Sequence, residues 1–261
     1  TLIDRTKKTP IIAYRFDDGH NAIAQYILPL FQKYNIPATV GIIPTNLGDA
    51  PVVSLGTGAG NNLSFSEVKD LVEAGWKILP HHQVGDTFTK AHYPVNGDFK
   101  TALELEWGIL TQGCIDHADG FDIGPLPDTI ILPGHILDEE MIPELLYAGI
   151  KYATSALALE AAGSLEVQGD GAYNISGAAL GTTIPPVSCD FHNAMLLNQL
   201  RFDKNFSVEP NYRGVQSELL SKLASVGGIC TILEHCYSDA TPSHWNNTVW
   251  RNDALARLEA E

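Results

Sequence analysis

Two adjacent carboxylates close the first apolar run of the chain, in Arg15-Phe16-Asp17-Asp18-Gly19. Like charges held this close raise one carboxyl pKa, and a cation beside them removes the conflict. One carboxylate could then ligate a metal while its neighbour acts as a general base. Residues two apart on an extended strand point to the same side, so Arg15 is placed to pair with Asp17. Further along, His81-His82 is followed by Asp86, and imidazole and carboxylate are both good ligands for zinc-like metals. Leu132-Pro133-Gly134-His135 combines a histidine with a glycine that lets backbone approach a ligand closely. His235, after Leu233-Glu234, could serve as a general acid. Taken singly, each has a plain structural reading: an aspartate capping a helix, a polar loop, a satisfied histidine. Taken together, acidic or histidine residues close four different strand candidates.

The elements that must carry these residues alternate. Ile11–Phe16 reads as a buried strand, and Ile23, Tyr26, Ile27, Leu30, Phe31 and Tyr34 recur at helical spacing. Pro37 ends that helix and Ala38–Ile43 reads as the second strand. Ser64-Phe65-Ser66-Glu67 is a capping-box pattern opening a helix through Val68, Leu71 and Val72 that Gly75 closes. Trp76–Leu79, Thr129–Leu132, Ile150–Ala153 and Ile229–Leu233 read as strands, separated by helices over Phe99–Leu110, Glu139–Ala148 and Ser217–Val226. Thr241–Leu258 reads as a terminal helix. Strand–helix alternation predicts a mainly parallel sheet, and such folds gather their sites on loops at the C-terminal strand ends. The Gly-, Ser- and Asn-rich stretch from Leu157 to Pro210 breaks the rhythm and reads as a hairpin or an elaborated loop. Trp107 falls on the apolar face of its helix and reads as core; Trp245 and Trp250 are the aromatic side chains left to pack the last helix or stack on a ring.

Composition narrows the partners. The chain has 261 residues, 44% of them hydrophobic, which excludes disorder and fits a single domain over residues 1–261. Sixteen basic against 31 acidic residues give a formal net charge of −15, so nucleic acid is disfavoured as a partner. No apolar run reaches the roughly 18–20 residues of a membrane span, and no signal peptide is visible in a chain that starts at Thr1 rather than Met. The cysteines, Cys114, Cys189, Cys230 and Cys236, form no CxxC pair and read as packing thiols rather than zinc ligands.

These motifs resemble the polysaccharide deacetylase family, the NodB-homology domain of carbohydrate esterase family four. The resemblance is carried by Phe16-Asp17-Asp18-Gly19 through Ile36-Pro37-Ala38-Thr39, by Ala74-Gly75-Trp76-Lys77-Ile78, and by the order of the Pro133 and His235 motifs. It implies a distorted (β/α) barrel, one divalent metal ion with zinc first, and removal of N- or O-acetyl groups from an acetylated glycan. In that scheme Asp17 is the base that activates metal-bound water, Asp18 a metal ligand and His235 the acid that protonates the leaving group. Pro133 and His135 line the substrate, and a backbone N–H near His135 helps hold the oxyanion.

Three departures stand out. The family's second motif is His-x-x-x-His; counted from Gly75-Trp76 its first histidine is His81 and its second position is Gly85, whereas a shift of one residue gives His82 and Asp86. Both registers stay open, so His81, His82 and Asp86 all join Asp18 as candidate ligands. The family's arginine before the third-motif proline is Leu132 here, and Arg15 is the candidate to replace it beside the base. The Asp-rich fourth motif has only Asp190-Phe191-His192 as a candidate. Two other readings compete with the deacetylase: a glycan-binding module with impaired catalysis, and a metal hydrolase of a non-sugar amide. Substrates of this kind place the protein outside the cytoplasm, in a secreted, envelope or larger extracellular assembly.

Overall fold

The computed structural model describes residues 10–47, 62–81, 90–132, 139–154, 158–159, 165–166, 196–197, 199–201, 228–234, 252 and 255–256. The first strand, β1, runs Pro10–Phe16. A π-helical turn at Ile23–Ile27 leads into α1, Leu28–Tyr34. That helix stops at Asn35, which takes the left-handed conformation (φ 54°) favoured for asparagine at this position. β2 is Thr39–Ile42, α2 Phe65–Glu73 and β3 Lys77–Pro80. The capping box forms as expected: Ser64 Oγ accepts from the Glu67 N–H at 3.2 Å, and Glu67 Oε2 accepts from the Ser64 N–H at 2.8 Å. Next come α3 (Asp98–His117), β4 (Thr129–Ile131), α4 (Ile142–Tyr147) and β5 (Tyr152–Thr154). Short strands β6 (Ala158–Leu159), β7 (Leu165–Glu166), β8 (Leu196–Leu197) and β9 (Gln199–Arg201) precede β10, Gly228–Glu234.

Strand pairing draws a closed ring. One sheet has the order β3-β2-β1-β10-β9 and a second the order β4-β5-β8, every pair parallel. A parallel bridge from His81 to Ile131 joins the end of β3 to β4. On the far side β8 and β9 are one residue apart in sequence; the first pairs with β5 and the second with β10. The two sheets thus meet at both seams, as a distorted barrel requires. The hairpin expected in the irregular stretch is present as the antiparallel β6–β7 pair.

The period of two along each strand divides the side chains between helices and barrel interior. Tyr14 and Phe16 face the helices, where the Phe16 and Trp76 rings stack at 5.6 Å and Tyr14 meets Phe31 edge-on at 4.9 Å. Burying each such aromatic stabilises the layer by about 1.5–3 kcal/mol. Arg15 and Asp17 are therefore turned the other way. A second apolar cluster joins Tyr93, Phe99, Leu103, Ile130, Leu132, Met141 and Leu145.

Several boundaries differ from the expectation. α3 runs seven residues past Leu110, through Gly113. A glycine weakens an isolated helix, yet a Cβ here would lie 2.2 Å from the Phe65 ring; the missing side chain is what lets α2 and α3 approach. Trp107 is core as expected, its indole N–H donating to the Gly124 carbonyl at 3.1 Å. The Glu139–Ala148 helix begins as a 3-10 turn, Glu139–Met141. The helix expected over 217–226 lies outside the described residues, and of the terminal helix only residues 252, 255 and 256 are described, all helical. Among the described residues no helix is long and apolar enough to cross a membrane.

Candidate active site

The site is built on consecutive strand ends. Asp17 leaves β1 fully buried, and Arg15, 2% exposed, donates from Nη2 to Asp17 Oδ2. The pairing follows from strand geometry alone, since both side chains point into the barrel. Asp18 and Gly19 then both adopt left-handed backbone, each at φ 68°. Glycine takes this conformation without penalty and aspartate is one of the few other residues that visit it readily. The resulting turn separates the fates of the two carboxylates. Asp17 is held inside, while Asp18 is 21% exposed with Oδ1 3.4 Å from His81 Nε2.

His81 is placed from the next strands. Its N–H donates to the Ile42 carbonyl at 2.9 Å, which continues the β2–β3 ladder by one residue, and its bridge to Ile131 fixes the other side. Between these groups lies Gly41 on β2. A Cβ there would come within 2.5 Å of Ile131 Cδ1, 3.2 Å of Asp17 Oδ1 and 3.4 Å of His81 Cδ2. The missing side chain lets Ile131 pack close to the inner carboxylate and the imidazole.

Leu132 explains one departure from the family pattern. It is buried with Ile130 in the cluster under α3 and α4, whereas Ile131 is the β4 residue that reaches the Gly41 position. The Leu132 side chain belongs to the helix side of its strand, and a guanidinium on Asp17 comes instead from Arg15.

Of the expected site residues, Arg15, Asp17, Asp18 and His81 are brought together. His82, Asp86, Pro133, His135 and His235 lie outside the described residues, as do Asp190 and His192. Two neighbours escaped the sequence reading. Gly41 carried a signal, because an interior strand glycine marks a close approach. His20 carried little beyond its place after Gly19; it is buried, with Nε2 3.8 Å from Asp18 Oδ2.

Asp18 and His81 suit a divalent ion. Ligand atoms at tetrahedral angles with bonds near 2.1 Å stand about 3.4 Å apart, as Asp18 Oδ1 and His81 Nε2 do. A carboxylate with an imidazole is also a donor set that zinc-like metals accept. Among the described residues no three His, Cys, Asp or Glu side chains are grouped to hold a metal, and the fit to an ion rests on this pair.

Residues 4–85 match the model of the polysaccharide deacetylase family, and the resemblance carried by the first motif is a finding over that segment. A comparison with curated proteins finds no match. Among solved structures, the polysaccharide deacetylase Bc1974 from Bacillus cereus is similar at 13% identity, covering 97% of this chain and 88% of its own, with a TM-score of 0.49. IcaB from Ammonifex degensii is similar at 13% identity over 79% of this chain and 71% of its own, TM-score 0.45. The deacetylase PplD of Streptococcus pyogenes, in complex with acetate, is similar at 16% identity over 80% and 68%, TM-score 0.44.

Proposed function

We propose that this chain is a metal-dependent deacetylase that removes N- or O-acetyl groups from an acetylated glycan. The observation that carries the reading is the division of labour between adjacent aspartates: Asp17 is buried against Arg15, and Asp18 is turned out beside His81. A capped turn would leave both carboxylates near solvent. One inward base and one outward ligand is the arrangement hydrolysis of an acyl group uses.

In this reading Asp18 and His81 hold the ion, joined by His82 or Asp86. Bound there, a divalent cation, zinc first, supplies Lewis acidity that polarises the acyl carbonyl and acidifies water. Asp17 receives the proton from the attacking water, and Arg15 keeps its carboxylate aimed through the shared hydrogen bond. Gly41, by lacking a side chain, lets Ile131 pack beside Asp17 and His81 and so helps fix the pair. β10 pairs Glu234 with Phe16, so His235 follows a strand neighbouring that of Asp17; it delivers a proton to the leaving amine or alkoxide. Pro133 and His135 flank the substrate. Such glycans lie outside the cytoplasm, and the proposal places the protein there.

The test is release of acetate from a panel of N- and O-acetylated oligosaccharides and small non-sugar amides, with and without chelator. Release from glycans that stops on chelation and returns with zinc supports the reading. Glycan binding without release would identify a binding module, and release from the amides alone would identify a different hydrolase.

A further inference from the structure

Asp18 is flanked on both sides by imidazole. Oδ1 faces His81 Nε2 at 3.4 Å and Oδ2 faces His20 Nε2 at 3.8 Å. His20 is buried, and its backbone is tied at several points. The Ile23 N–H donates to the His20 carbonyl at 3.1 Å, the Leu63 N–H donates to the Gly19 carbonyl at 2.8 Å, and His20 forms a β-bridge with Asn62. Asn62 is in turn anchored by donating from Nδ2 to the Asn46 carbonyl. The His20 backbone is thus held by the segment at 62–63, which no motif of the site includes.

We propose that His20 is a positioning residue for Asp18. It steadies Oδ2 from the side away from His81, so that Oδ1 and His81 Nε2 stand as a preformed pair of donors. The proposal rests on the metal-dependent reading above. A carboxylate at an exposed turn can rotate, and rotation would move Oδ1 off the shared ligand position. Outer partners that fix a ligating side chain are commonly worth 10–100-fold in metal affinity. His20 acts here as a buried polar neighbour of Oδ2 at 3.8 Å, longer than a hydrogen bond, so that it limits rotation of the carboxylate. The two imidazoles address different oxygens of one carboxylate, which is why His20 is assigned the outer role.

The experiment compares wild type, His20→Ala and His20→Gln by zinc calorimetry and by the visible absorption of bound cobalt, with melting of the metal-free proteins as a fold control. Glutamine can place an amide N–H where Nε2 stands. Expected are a loss of roughly 10–100-fold in affinity for alanine, affinity close to wild type for glutamine, and an unchanged cobalt spectrum at saturation in both. Unchanged affinity in His20→Ala overturns the proposal. So does an equal loss in both variants accompanied by lower metal-free melting, which marks a merely structural role. Loss of the saturable cobalt site in both also overturns it, by making His20 a direct ligand. If the alanine variant does not fold, His20→Asn, too short to reach Oδ2, takes its place against glutamine with the same expectations. A wild-type protein that binds neither ion overturns the metal reading itself. Wild-type binding that is lost in Asp18→Ala and kept in His20→Ala removes only the role of His20.

Discussion

Asp17 and Glu144 are both buried carboxylates with a basic partner, and they are put to different uses. Glu144, on α4, accepts from Lys90 Nζ at 2.6 Å and from the Gly97 N–H at 2.8 Å. Both oxygens are used to fasten the 90–97 segment. Gly97 itself is left-handed at φ 93°, with the Tyr147 ring 3.2 Å from where a Cβ would be. The hydrogen bond from Lys90, followed by that from Gly97, holds the Glu144 carboxyl below the ordinary glutamate value. Asp17 instead has its partner two residues away on the same strand, and faces Gly41, a position without a side chain. A carboxylate whose oxygens are taken up across segments works as a strap. The Asp17 carboxylate is instead fixed by its own strand, beside Gly41 and His81.

Four variants would break or sharpen that contrast. The largest effect is expected from Asp17→Asn, which keeps the shape and removes the base. Acetate release per folded molecule should fall by about 10²–10⁴-fold, alongside a loss of stability because Arg15 stays buried without its counter-charge, and retained turnover would demote Asp17 to a strap like Glu144. Next is Arg15→Ala, which leaves Asp17 buried without its guanidinium. Denaturant unfolding should show a loss of about 3–5 kcal/mol, with a changed pH–rate profile in whatever remains folded. An unchanged rate and profile would sink the pairing as a catalytic feature. Gly41→Ala tests the close packing around Asp17 and His81. Its Cβ must displace Ile131 and crowd Asp17 and His81, an overpacking cost of about 1–3 kcal/mol, and acetate release should fall more than stability does. An alanine variant with normal release would show that this packing does not position the site.

Glu144→Gln is expected to be the mildest, because the amide keeps the shape and an acceptor. Its sign with pH is definite. The folded carboxyl is depressed, so ionised Glu144 contributes stability fully above the unfolded value of about 4.3, and that contribution is lost as pH falls through the lower folded value. Melting temperatures of wild type and variant should differ near neutrality and converge in acid, with acetate release at neutral pH unaltered. A gap that persists in acid would separate the clamp from the charge of Glu144.

Local pattern carried much of the molecule. The alternation of strands and helices, the Ser64–Glu67 cap, the glycine and proline stops and the pairing of Arg15 with Asp17 depend on residues within a few positions of one another, where backbone sterics and side-chain period decide. The adjacent aspartates were legible as a strand-end pair for the same reason. Other features answered to contacts far apart in the chain. The continuation of α3 through Gly113 is set by the Phe65 ring, and the outward phase of Leu132 by the cluster beneath α3 and α4. The presence of His20 beside Asp18 is set by the bridge to Asn62, and the need for glycine at position 41 by Ile131 on another strand. A period of two tells that neighbouring side chains face opposite ways. Only the pairing of distant strands into a ring tells which of those ways is the inside, and so which aspartate is buried with arginine and which is turned out beside His81.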